Sequence, residues 1–173
     1  MFTKADIEKY FLAEKQESLL FLIIGVVAII LAFVFFFFLK TNFYKGAAIP
    51  LFLLGLLLGV VGYTVYKRSD KDRINNVYAY DMNPSQLKNK ELPRMKAVMR
   101  SFIIYRYLEI ILALAGMGLL FYFRNDTDNQ FWKALGLTLA IMALTALLAG
   151  YFAEKRGAIY AKGIESFISN SNH

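Results

Sequence analysis

Four long apolar runs decide what this chain can become. They cover residues 18–39, 46–66, 101–123 and 134–153, and three of them hold no charged side chain. Each is at least 20 residues long. At about 1.5 Å of helical rise per residue, each can cross a hydrocarbon layer of roughly 30 Å. The expected fold is an all-α integral membrane protein with four transmembrane helices, forming one membrane domain over residues 1–173. An amphipathic arm (1–17), a basic helical loop (67–100) and a tail (154–173) flank the spans.

Charge orients this bundle. Fifteen of the 20 Lys and Arg lie in the arm, the 67–100 loop and the tail, whereas the other two loops hold only Lys40, Lys45, Arg124 and Lys133. Cytoplasmic segments retain Lys and Arg, so both termini and the long loop are expected on the cytoplasmic side of a bacterial inner membrane, beside anionic inner-leaflet lipid. This topology accounts for the net charge of +7 without a nucleic-acid partner. The arm carries Asp6, Glu8, Glu14 and Glu17 ahead of a run too long for a signal peptide, so the first span is expected to be retained.

The second and fourth spans align without a gap at an offset of 88 residues. Phe43-Tyr44-Lys45 falls on Phe131-Trp132-Lys133, Gly62-Tyr63 on Gly150-Tyr151, and Lys67-Arg68 on Lys155-Arg156. The chain therefore reads as two helical hairpins of the same orientation, related about an axis along the membrane normal.

Small residues mark the packing faces. Gly25, Ala28 and Ala32 share a stripe in the first span. Ala48, Gly55, Gly59 and Gly62 do so in the second, and Gly136, Ala140, Ala143 and Gly150 in the fourth. Lipid provides no hydrophobic drive for helices to associate, so close backbone approach along such stripes must supply the attraction. Contact within the bundle is the expected use of Gly55-Leu-Leu-Leu-Gly59, and a homo-oligomer seam is the alternative. Phe35–Phe38, Tyr44, Tyr122 and Trp132 form an outer aromatic belt, and Tyr63, Tyr66, Tyr105, Tyr107 and Tyr151 an inner one.

Outside the spans, Thr3 is placed to cap a short helix whose Ile7, Tyr10 and Phe11 face the membrane surface. Asn83 and Pro84 are placed to cap and open a helix after the turn in the long loop, and Pro93 can introduce a second break.

The third span is the exception. Its uncharged part, Ile110–Phe123, is only 14 residues, about 21 Å, and cannot cross unaided. To reach across, it must draw Arg106 and Glu109 into the membrane. These share a stripe with Met95, Met99, Phe102, Ala113 and Gly116, and their i, i+3 spacing predicts a direct pair. Glu154 and Arg156 end the fourth span at a similar depth, so Arg106, Glu109, Glu154 and Arg156 are expected to form one membrane-embedded polar cluster.

Chemistry is sparsely provided. There is no cysteine, and the one histidine is His173, which argues against thiolate, zinc and haem sites. No phosphate-binding loop or nucleophile elbow is present, and no cofactor or metal is expected. Asp70, Asp72, Asp81 and Glu91 are interleaved with basic residues and read as a solvated surface. The expected function is therefore non-catalytic, through helix–helix contact with a membrane protein partner. It would be a complex subunit or an immunity-type protein against a membrane-targeting toxin. The alternative is a small transporter or channel using Glu109 as a membrane-embedded carboxylate. A lipid-modifying enzyme would need Arg94 and Arg100 as headgroup-binding residues, with Arg106 completing the clamp.

Overall fold

In a computed structural model, which describes residues 2–171, every regular element is helical. Helix α1 (Lys4–Phe33) ends in a widened π-helical turn over Val34–Leu39. Helix α2 (Asn42–Met82) follows, then the single turn α3 (Pro84–Gln86), a second widened stretch over Leu87–Glu91, α4 (Leu92–Tyr122) and α5 (Gln130–Ser171). His173 lies outside the described residues.

Four rods of 36, 41, 39 and 41 residues result, each long and apolar enough to cross a membrane. At 1.5 Å per residue they measure roughly 55–60 Å, twice the hydrocarbon thickness. The apolar runs occupy only one half of each rod. The other halves all project from the end that carries both chain termini, called here the terminal end; the opposite is the hairpin end.

The rods run alternately up and down. Helix α1 packs along α2, α4 along α5, and the two hairpins meet through the parallel pair α2 and α5. At the hairpin end, Gly46 lets α5 in so closely that a Cβ there would lie 2.1 Å from the Phe131 carbonyl oxygen. At the terminal end, Tyr80 of α2 stacks on Phe167 of α5 with ring centroids 4.6 Å apart.

Burial recurs every seven residues. Phe11, Ser18, Gly25 and Ala32 are buried in α1, and Gly55, Gly62, Ser69 and Asn76 in α2. Gly136, Ala143, Gly157 and Ile164 follow the same rule in α5, with half-buried Gly150 between them. A strict seven-residue repeat keeps one face turned to the neighbour by a slight left-handed supercoil. The 88-residue offset carries α2's positions onto those of α5. It also carries Ile7, Gly25 and Ala28 of α1 onto Met95, Ala113 and Gly116 of α4, all of them buried.

Side-chain size along these seams changes with depth. Within the spans only small residues and Pro50 are buried, and a Cβ at Gly25 would lie 2.5 Å from Gly59 N. One at Gly62 would lie 2.7 Å from Ser18 O, and one at Gly116 2.6 Å from Ala140 N. At the terminal end, where charged side chains cover the outward faces, Phe2, Ile7, Phe11, Leu87, Met95, Tyr160 and Ile164 close a conventional core.

Two sequence expectations change here. The arm is no separate surface helix: Thr3 does begin it, bonding Asp6 through its backbone N–H and its hydroxyl at 2.8 Å each, but the helix continues unbroken into the first span. Ile7 and Phe11 are fully buried against the other rods instead of facing lipid. Asn83 and Pro84 start a helix as expected. At Pro93 the helix widens into the preceding π-helical stretch instead of breaking. Proline has no N–H for the carbonyl four residues back and its ring would clash there; a π turn relieves both.

The glycines separate close-contact positions from open ones. Gly25→Ala and Gly116→Ala force helix backbones apart and should each cost about 1–3 kcal/mol. Gly59 and Gly118 have nothing within 4 Å of an added Cβ, so Gly59→Ala and Gly118→Ala should be neutral or slightly stabilising. Thermal unfolding of the four variants in detergent checks this; equal losses at all four would contradict the packing described.

Candidate functional site

The ionisable groups nearest the membrane do not gather into one cluster. Arg106 of α4 pairs across to Glu154 of α5. It does not pair with Glu109, because the carboxylate on α5 is within reach of the same guanidinium and Glu109 turns toward the seam. Arg156 leaves the group altogether and pairs with Glu17 of α1, tying the first rod to the fourth. Glu109 is half-buried, with Oε2 3.7 Å from where a Cβ on Gly150 would sit. Among the described residues it has no hydrogen bond or ion pair.

Gly62 and Gly150 occupy equivalent seam positions, and the contrast between them explains this. At Gly62 the backbone of α1 lies against α2, whereas at Gly150 the first atom met is the Glu109 carboxylate. The α4–α5 seam therefore opens toward the terminal end from its closest approach at Gly116 and Gly136. It closes again where Met99 meets Gly157, 3.2 Å from an added Cβ. Glu109 sits in the interval.

The candidate headgroup-binding residues part company as well. Arg94 is held inside the protein. Its Nε lies 2.8 Å from Glu91 Oε2 and its Nη2 2.6 Å from Glu91 Oε1, and its guanidinium lies over the Phe11 ring at 5.7 Å. Burial works against that charge, but the two Glu91 bonds outweigh it and raise the Arg94 pKa. So engaged, Arg94 has little left for a lipid phosphate. Arg100 is exposed at the span boundary.

Glu91 also overturns the reading of the loop acids as a solvated surface, since its side chain is only 6% exposed. It belongs to a buried polar layer that sequence reasoning missed. Glu14 of α1 accepts from Arg68 Nη2 at 3.4 Å and lies 3.1 Å from the Ser69 hydroxyl. The Tyr10 hydroxyl is 3.4 Å from Glu14 Oε1, and its ring stacks on Tyr160 of α5 at 4.1 Å. Burial raises the pKa of Tyr10 and of Tyr160, the latter further through Glu91. The layer thus joins α1, α2, α4 and α5 where the spans meet the terminal-end core. Near it Lys15 pairs with Asp70 at 2.5 Å and Lys96 with Glu165 at 3.1 Å, and at the far tip of the rods Lys4 pairs with Asp81 at 2.5 Å.

A spacing signal for this layer exists in the sequence. Ile7, Phe11, Glu14, Ser18 and Gly25 step by three, four or seven across the arm–span boundary. That continuity places Glu14 on the packing face of one uninterrupted helix.

Of the candidate packing residues, Gly55 and Gly62 lie against α1, and Ala140 and Ala143 are buried in α5. Gly59 contributes its backbone to the Gly25 contact while its own Cβ direction stays open. Tyr63, Tyr105, Tyr107 and Tyr151 are exposed at one end of the apolar spans, and Tyr122 and Trp132 at the other. Among the described residues, no three His, Cys, Asp or Glu side chains converge on a metal-binding geometry. No protein-family model matches the chain, and no curated protein or solved structure is significantly similar to it.

Burial raises the Glu14 pKa above its usual carboxylate value, with Arg68 and Arg94 opposing part of the effect. The folded protein therefore takes up this proton at a higher pH than the unfolded chain. As pH falls from 7 through the folded Glu14 pKa, wild-type should gain stability relative to Glu14→Gln, which has nothing to titrate there. Melting temperatures of the two proteins between pH 7 and 4.5 test the sign; a difference that stays flat or reverses speaks against Glu14 as the titrating group.

Proposed function

We propose that this chain is a non-catalytic integral membrane protein that works through helix–helix contact with another membrane protein. A subunit of a larger complex and an immunity-type blocker of a membrane-targeting toxin both fit. The observation that carries this is the coverage of α4. Only 11% of its most apolar stretch is buried, against 17%, 22% and 17% for the other three. Ala113 and Gly116 do its packing, while Ile104, Leu108, Ile111, Leu114 and Phe121 point outward. The buried acids and bases of the polar layer are meanwhile engaged with one another, an arrangement suited to holding helix register and not to turning over a substrate.

Photo-crosslinking side chains at Ile111 and Leu114 test the contact in native membranes. A discrete protein adduct from these positions, absent when the probe is placed on outward Ile24 of α1, is expected. Lipid adducts alone from all three positions would count against the proposal.

The same reading places both termini in the cytoplasm of a bacterial cell. The charge asymmetry supports it, together with exposed Lys67, Arg100 and Lys155 on three rods at the span boundary, suited to anionic lipid. The cysteine-free chain makes this simple to check. A cysteine at Thr127 should react with an impermeant maleimide in spheroplasts, and one at Ser85 only after permeabilisation.

A transport reading has the unneutralised Glu109 in its favour. Against it, the hydroxyls of Thr64 and Thr145 bond back to the carbonyls of Val60 and Ile141 at 2.8 Å, leaving little polar lining. Glu109-dependent flux in liposomes would support transport; its absence would remove it.

A further inference from the structure

We infer that the membrane partner carries a basic side chain, Lys or Arg, in a transmembrane helix that docks beside α4 and neutralises Glu109. This rests on the proposed partner-binding role and specifies the chemistry of the partner. Charge balance within the chain points to this chemistry. The acids of low exposure nearest the spans are answered by a cation from within the chain: Glu14 by Arg68, Glu17 by Arg156, Glu91 by Arg94 and Glu154 by Arg106. Glu109 lies within an apolar span and, among the described residues, has no such partner.

Its natural neighbour cannot serve. Arg106 lies one turn toward the terminal end but is committed to α5, so an ionised Glu109 leaves the three groups Arg106, Glu154 and Glu109 with one negative charge. An ionised carboxylate in hydrocarbon is costly, and such groups pair with one another or face a polar cavity. Here the carboxylate is half-exposed at the mouth of the α4–α5 seam, beside the helix with the least covered span. Glycine at position 150 leaves the approach unobstructed, and outward Tyr105 and Leu108 supply apolar contact beside it. A cation on a neighbouring helix, placed about one turn inside the terminal-end boundary, completes the balance.

The test uses the full-length chain with a donor dye on a cysteine at exposed Lys162, reconstituted in phosphatidylcholine vesicles. The probe is a synthetic Leu/Ala transmembrane helix with one Lys four residues inside the acceptor-labelled end, compared with the same helix carrying Leu or Glu there. Interhelical polar pairs in membranes correspond to roughly threefold to tenfold in association. The Lys peptide should therefore reach half-maximal energy transfer at a threefold to tenfold lower peptide-to-lipid ratio than the Leu peptide. Glu109→Asp should keep most of that preference and Glu109→Gln should abolish it. Unchanged transfer to the Leu peptide and unchanged helical circular dichroism verify that the variants fold.

A Lys preference that survives in Glu109→Gln, or no preference in wild-type, overturns the inference. So does Glu109-dependent self-association without peptide, which makes a second copy the occupant. Loss of the preference when phosphatidylethanolamine is added identifies a lipid amine instead and also overturns it. A crosslinked partner captured equally well by wild-type and Glu109→Gln would sink this inference alone and leave the partner-binding role standing.

Discussion

Lipid offers helices no hydrophobic reason to associate, so contact between the spans rests on how closely their backbones can approach. This chain meets that constraint with seams of glycine and alanine recurring every seven residues. Gly25 enters between Gly55 and Gly59, Gly62 receives the Ser18–Leu22 turn, and Gly116 and Gly136 meet across the second hairpin. Because nothing larger is buried within the spans than Pro50, the outward faces of all four are left to lipid or to a partner. Where the rods emerge into water the hydrophobic effect returns, and the same seams fill with phenylalanine, tyrosine, leucine, isoleucine and methionine.

Between these two regimes sits a polar layer. Glu14, Arg68, Ser69, Tyr10, Glu91 and Arg94 are placed where large side chains have begun to be buried, and Glu14 is bonded from the neighbouring rod by Arg68 and Ser69 while Tyr10 stacks on Tyr160 of α5. A buried ion pair is a poor source of net stability, since desolvation offsets much of its attraction. Its value lies in what it excludes: a rotation or sliding of one rod would strand a buried charge. The layer therefore fixes the register that the small, nearly featureless seams above it leave loosely specified.

The two hairpins share their pattern of burial at an offset of 88 residues, yet they are not packed alike. Gly62 and Gly150 are equivalent in sequence, but α1 lies against the first while the second meets only a carboxylate. Phe21 in α1 corresponds to Glu109 in α4. The second hairpin thus carries an ionisable group where the first has an aromatic ring.

Much of this was legible in residue order. Run lengths set four spans, small-residue spacing identified the packing faces, and Asn83-Pro84 marked the turn. These are local properties, because helical periodicity and lipid solubility depend on near neighbours along the chain. Which acid meets which base was not legible. Arg106 has Glu109 one turn away and still pairs with Glu154, while Arg156 reaches Glu17 across 139 positions. Likewise Arg94 and Glu91, which look like surface charges, are buried because four rods happen to converge there. The sequence by itself determined the number, length and facing of the helices. Only the tertiary structure decided their neighbours, and with them which charges are neutralised, because ion pairing depends on distances between helices that no local pattern encodes.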